Sequence, residues 1–148
     1  MKPILEIEDL KKIAKRKVPK MFYDYVDTGS YNEKTYKDNS DDFSKYKFRQ
    51  RVGLDISNRN LNATILSKKY SLPIGVSPTG SAGMIHADGE ILAAKACEEM
   101  NIPYTLSTMS ICSIEQVAQN LKNPFWFQLY VMKDKDFVKN LIDRAIKA

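Results

Sequence analysis

The 148-residue chain contains one histidine, His86, and two cysteines, Cys97 and Cys112. That scarcity limits its chemistry. A structural or catalytic zinc needs several His and Cys ligands at short spacings, and these three residues offer none, so no metal is expected. The two cysteines also lack a redox spacing. They read as free thiols in a reducing cytoplasm. No apolar run approaches the length that spans a bilayer. The opening "MKPILEIEDLKKIAKRK" lacks the uninterrupted apolar core and small-residue cleavage site of a signal peptide. Tandem repeats and low-complexity segments are absent as well.

Hydrophobic residues make up 43% of the chain and charged residues 28%, a balance that suits a globular protein with a real core. Net charge is +5, with a concentration at Lys11, Lys12, Lys15, Arg16 and Lys17. At helical spacing these form a basic face, which serves either as a solvated surface or as a patch attracted to an anionic membrane. No aromatics are interleaved with the charge, which argues against nucleic acid.

Residues 1–47 read as helical. Ile7, Leu10 and Ala14 share a face, with Ile13 beside them. Pro19 suits the first turn of a second helix, which pairs Phe22 with Val26 and Met21 with Tyr25. Gly29 is its expected C-cap. Tyr31–Phe43 reads as a third, exposed helix. Residues 48–72 look irregular, with a short strand in "ATIL" and turn signals in "SNRN" and "SKKYS".

The pattern changes at residue 73. "LPIGVSPTG" is an apolar strand ending in small residues. A helix over Asp88–Met100 follows, with Ala93, Ala96, Cys97 and Met100 as its stripe. "IPYTLSTMS" is a second strand. Ser113 and Gln116 form a capping box for a helix carrying Val117, Ala118 and Leu121. "PFWFQLYV" is a third strand. Asp134 opens a last helix with Val138, Leu141, Ile142 and Ala145 inward. Three strand–helix units with strongly apolar strands imply a parallel sheet covered by helices. The expected domains are therefore 1–72, helices and an irregular segment, and 73–148, the βα units.

A doubly wound sheet would carry a G-x-G-x-x-G turn after its first strand, and "SPTGSAGMIHADGE" does not. A (β/α)8 barrel places its chemistry at the C-terminal ends of several strands. Polar residues stand there in all three units: Ser77 and Thr79, Ser107 and Thr108, Gln128 and Tyr130. Gln128 and Tyr130, two apart, project to one side of a strand, where a buried amide and a phenol need partners. The expected fold is α/β: the N-terminal part of a TIM barrel, about three βα units, behind a helical segment. A whole barrel takes about 250 residues, so the chain reads as a piece of a longer one.

"PKMFYDYVDTGS", "SPTGSAGMIHADGE", "YTLSTMSICSIEQVA" and "FWFQLYVMKDKD" resemble the N-terminal part of the FMN-dependent 2-hydroxy acid dehydrogenases and oxidases. "LSTMSIC" followed by "WFQLYV" is most similar to the bacterial respiratory L-lactate dehydrogenase branch. The resemblance implies oxidation of a small L-2-hydroxy acid, FMN as cofactor, and a quinone or other electron acceptor. It also implies a homotetramer for the full-length protein. The oxidase branch would form peroxide instead, and a non-catalytic flavin-binding or membrane-associating module is a different alternative.

Roles follow by resemblance. Tyr25 matches the tyrosine on the substrate carboxylate. Pro78, Thr79 and Gly80 match the turn whose backbone meets the flavin near N5. Ser107 and Gln128 match residues that bind the flavin ring, and Tyr130 matches the tyrosine at the substrate hydroxyl. Met109 stands where the family varies a substrate-facing side chain. At Gly80 a glycine suits either this close approach or a turn with positive φ. The family's catalytic histidine, arginine and lysine fall beyond residue 148, so His86 reads as a loop residue.

Overall fold

The computed structural model describes residues 3–148, which form two compact units, one ending at Arg59 and the other running Asn60–Ala148. The first unit holds three helices: α1 (Ile7–Lys17), α2 (Lys20–Asp27) and α3 (Lys34–Asp41), the last followed by a 3-10 turn. Within it Asp27 collects three partners. Lys11 pairs with it at 2.5 Å and Tyr36 donates to it at 3.2 Å, while Tyr23, the buried residue of α2, faces it too. Lys11 therefore ties α1 to α2 and is not part of a free basic face. Lys12 is likewise paired, with Asp9.

Gly29 differs from its expected role. Helix α2 ends on Thr28 in extended conformation, and Gly29 does not adopt a positive φ. A Cβ there would lie 2.8 Å from the Cβ of Tyr36. The glycine is small so that α3 can approach, not because the chain turns left-handed.

The second unit opens with a hairpin of β1 (Ala63–Ile65) and β2 (Lys68–Tyr70), paired antiparallel. Leu66 and Ser67 both have positive φ, 48° and 65°, as a two-residue hairpin turn requires. The stretch "SKKYS", expected as a turn, is thus mostly strand β2. Asn101 fastens the hairpin to the body by donating to Ser71 Oγ at 3.2 Å.

Three strand–helix repeats follow. The first strand makes one parallel bridge, Val76 with Tyr104, through Val76 N–H to Pro103 O and Thr105 N–H to Val76 O. Pro73, Pro78 and Pro103 supply no N–H, which limits the ladder. Short α4 (Ala82–Ile85) and then α5 (Gly89–Met100) come next. Strand β3 (Thr105–Ser107) lies parallel to β4 (Trp126–Gln128), with α6 (Ile114–Ala118) between them and α7 (Lys135–Lys147) after. The expected capping box is formed: Ser113 Oγ accepts from Gln116 N–H and Gln116 Oε1 from Ser113 N–H. Asp134 caps α7 by accepting from Asp136 and Phe137.

The core gathers Ala94 and Cys97 of α5, Tyr104, Leu106, Cys112, Ile114 and Val117. Both cysteines are free and buried. The α5 stripe is rotated from the expected one. Met100 is exposed and Ala94 buried, and Glu90 joins Ala94 and Cys97 on the inner face. The reason is polar: turned inward, Glu90 meets two backbone N–H groups, Gly83 of α4 and Ile111 of the loop after β3. The strands are also wetter than their apolar sequences suggest. Ile74 is 58% exposed. With Val76, Thr105 and Trp126 it lines an open hollow of about 310 Å³.

Candidate functional site

The parallel register sets Ser107 directly beside Gln128 at the C-terminal ends of β3 and β4. From that pairing a small network grows. Gln128 Oε1 accepts from Thr108 N–H at 3.3 Å and lies 3.4 Å from Ser107 Oγ. Ser107 Oγ accepts Met109 N–H at 3.1 Å. Thr108 Oγ1 donates to Gln128 O at 2.5 Å and accepts Tyr130 N–H at 3.1 Å. One threonine hydroxyl thus fixes the end of β4 and the backbone of Tyr130 together.

The turn after the first strand joins from the other side. Ser81 N–H donates to Met109 O at 2.9 Å. Gly80 has no positive φ, so that explanation for the glycine is excluded. A Cβ at Gly80 would stand 3.1 Å from Met109 Cβ and 3.8 Å from Ser107 Oγ, so the position calls for a small residue. Thr79 Oγ1 reaches Ser77 O at 3.4 Å, and Pro78 lines the open hollow.

The structure therefore gathers Gly80, Ser107, Gln128 and the backbone of Tyr130 around Thr108. The Tyr130 side chain is 53% exposed. Tyr25 lies in the first unit, exposed on α2. His86 is the C-cap of α4, with Nδ1 2.7 Å from Ala87 O, outside the network. Among the described residues no cluster of three acidic, His or Cys side chains could hold a metal. Nor is any helix long and apolar enough to cross a membrane.

Beneath the network lies one buried charge. Burial pushes the Glu90 carboxyl up, but the N–H groups of Ile111, Glu90 itself and Gly83 hold it below the ordinary range on balance. The Cys112 thiol is pushed up by its own burial and by that carboxylate. Tyr104 rises to about 12, chiefly through burial.

A flavin ring is flat and apolar with a polar pyrimidine edge, and the cluster offers matching groups. Ser107 and the Gln128 side chain are already arranged on two neighbouring strands. The Gln128 amide accepts within the protein, yet its Nε2 has no protein acceptor among the described residues. It remains free to donate outward. Gly80, with no Cβ to press on Met109, lets the adjoining turn lie close to this loop.

The model of the FMN-dependent dehydrogenase family matches residues 14–148. The chain belongs to that family. Among curated relatives, the L-lactate dehydrogenase of Vibrio parahaemolyticus is 45% identical over 137 residues, 93% of the chain and 36% of the relative. That of Acinetobacter baylyi is 42% identical over the same share of both proteins. The chain thus spans about a third of the length of the curated relatives it matches. Among solved structures, a soluble mutant of the membrane-associated (S)-mandelate dehydrogenase of Pseudomonas putida superposes with a TM-score of 0.89 at 34% identity. It covers 98% of this chain and 41% of that one. The lactate oxidase of Pediococcus acidilactici gives 0.89 at 30% identity, covering 98% and 41%. The fold is accordingly the first part of the (β/α)8 barrel of this family.

Two residues of the site escape a sequence reading focused on ligand contacts. Thr108 stands in plain view at a strand end, but its role is to brace, which only the register reveals. Glu90 carries a detectable signal: a carboxylate in line with Ala94 and Cys97 at helical spacing, on the face that α5 buries.

Proposed function

We propose that the protein oxidises a small L-2-hydroxy acid, with L-lactate as the leading candidate, to the 2-oxo acid using FMN. One observation carries the reading: Ser107 and Gln128 sit side by side at the ends of two parallel strands, with an amide donor left over, in a chain of the FMN-dependent dehydrogenase family. When bound, FMN takes up the two electrons that leave the α-carbon of the acid.

The chain's own residues have distinct tasks. Gln128 and Ser107 hold the polar edge of the flavin. The Pro78–Thr79–Gly80 turn offers its backbone to it, and glycine lets that turn pack close against Met109. Tyr130, exposed and anchored by its N–H to Thr108, offers its phenol to the substrate hydroxyl. Tyr25 binds the carboxylate. Met109, 55% exposed, faces the substrate side. The proton acceptor is assigned to no residue of this chain, and His86 is occupied in its loop.

The further partners belong to the same proposal: a quinone-like electron acceptor, self-association into a tetramer, and a cytoplasmic location with peripheral membrane contact. Lys15, Arg16 and Lys17 remain available on α1 for such contact. A peroxide-forming oxidase is the second reading, favoured by the likeness to a lactate oxidase. Anaerobic mixing of the complete gene product with L-lactate decides the first point: the 450 nm flavin band should bleach. An unchanged band would reject L-lactate. Reoxidation then separates the readings, because a dehydrogenase reacts fast with a quinone and slowly with oxygen.

A further inference from the structure

One charged group of the second unit is enclosed without a counter-ion. Glu90 is 1% exposed, and no Lys or Arg among the described residues pairs with it. Its Oε1 accepts two backbone donors, Gly83 N–H at 3.0 Å and Ile111 N–H at 2.9 Å. Its Oε2 is buried with no hydrogen-bond partner among the described residues. Enclosing an ionised carboxylate is unfavourable unless donors compensate it. A side chain that merely filled space would be apolar.

The two donors belong to different strand-to-helix connections: Gly83 lies in the short α4 of the first and Ile111 in the loop of the second. Gly83 follows the turn that contains Gly80, and Ile111 follows the Ser107–Met109 segment. The connections are in close contact here: a Cβ at Gly83 would meet Ile111 Cβ at 2.7 Å and Glu90 Oε2 at 3.0 Å. A second link between them is Ser81 N–H to Met109 O at 2.9 Å. From Met109 the bonds continue to Ser107, and from Thr108 to Gln128 and Tyr130. Every group offered to flavin or substrate by the second unit hangs from these two loops or from β4 beside them.

We propose that Glu90 is a positioning residue for the flavin site: one buried carboxylate oxygen couples the Gly80 turn to the Ser107–Ile111 loop and so sets where Gly80, Thr108 and Met109 stand. The proposal rests on the flavin reading of the site. Two features of the side chain serve it. Charge roughly doubles the strength of each N–H bond. Reach lets a residue on α5 touch both loops at once. A displacement of about 1 Å at such a site lowers a rate by up to ~10²-fold.

The test uses the complete gene product with its bound flavin, measuring kcat and KM for L-lactate per flavin bound, together with the visible spectrum. Glu90→Gln keeps the accepting oxygen and loses the charge, so kcat should fall about 3- to 10-fold. Glu90→Asp keeps the charge but is one methylene short of the loops. Its kcat should fall about 30-fold or more, with a displaced flavin band and KM within about threefold. A wild-type kcat and spectrum in both variants would overturn the proposal. So would Glu90→Asp outperforming Glu90→Gln, which would make charge the operative feature and not the bridge. If Glu90→Asp does not fold, Glu90→Gln decides alone, and a wild-type kcat there, or failure of that variant to fold, counts against positioning. Flavin content of the wild type is read first. Its absence would overturn the flavin reading and this proposal with it, whereas normal wild-type turnover with indifferent variants would overturn only the role of Glu90.

Discussion

Thr108 shows how one side chain can organise a site without touching what the site binds. Its hydroxyl donates to Gln128 O and accepts Tyr130 N–H, leaving the Gln128 amide and the Tyr130 phenol to act outward. These two groups should then be separable by mutation. Tyr130→Phe removes a phenol that is half exposed and bonded to nothing in the protein among the described residues. Flavin should stay bound, while flavin reduction by L-lactate, followed by stopped-flow absorbance, should slow by roughly 10²-fold for one lost transition-state donor. A colourless Tyr130→Phe protein would place that phenol on the flavin and not on the substrate. Gly80 teaches a related lesson. Close packing against Met109, 3.1 Å from a would-be Cβ, and not backbone handedness, is what favours a small residue there.

At the scale of elements, local signals in the sequence translate well where a side chain bonds its own helix. Ser113–Gln116 and Asp134 cap α6 and α7 as their spacing implies. Signals fail where distant groups decide. The inner stripe of α5 follows Glu90, whose donors sit 7 and 21 residues away, so apolar spacing alone gives the wrong rotation. Gly29 reads as a C-cap until α3 is seen approaching it. "SKKYS" looks like a turn because lysine and serine are common in turns, yet Leu66 and Ser67 make the turn instead. Between elements, Arg144 of α7 forms a two-pronged bond with Glu115 of α6 at 2.7 and 2.8 Å. The guanidinium holds the Glu115 carboxyl down from 4.5 to about 2. A depressed carboxylate stabilises the fold fully above its unfolded value and loses that contribution as pH falls through the folded one. The pair should therefore matter above pH 4.5 and fade toward pH 2. Both side chains are partly exposed, so the effect should be small and weakened by salt. Melting temperatures of wild type and Glu115→Gln should differ by a few degrees at most at pH 6 and converge near pH 2.5. A constant gap across that range would mean that the pair is not the source.

The second unit presents the ends of two parallel strands, β3 and β4, joined to the Val76 segment by one bridge, as a shelf of polar residues. The alternation of strands and helices, and the polar residues at strand ends, made a barrel legible from sequence, because both arise from periods of the chain itself. The partners of those residues were not legible. Ser107 meets Gln128 through a register, and registers depend on how strands align across a sequence separation of 21. Tyr25 belongs to a separate compact unit, and its substrate role rests on family resemblance. Gln128→Leu keeps the volume of the side chain and removes both the bond to Thr108 N–H and the outward amide. Losing one or two such bonds corresponds to roughly a tenfold to hundredfold change in affinity. The most direct measurement is FMN affinity by fluorescence quenching, with wild-type and Gln128→Leu complete gene product stripped of flavin. The expected result is tight, saturable quenching by the wild type and at least tenfold weaker binding by Gln128→Leu. Equal affinities in the two proteins would contradict the placement of flavin at Ser107 and Gln128.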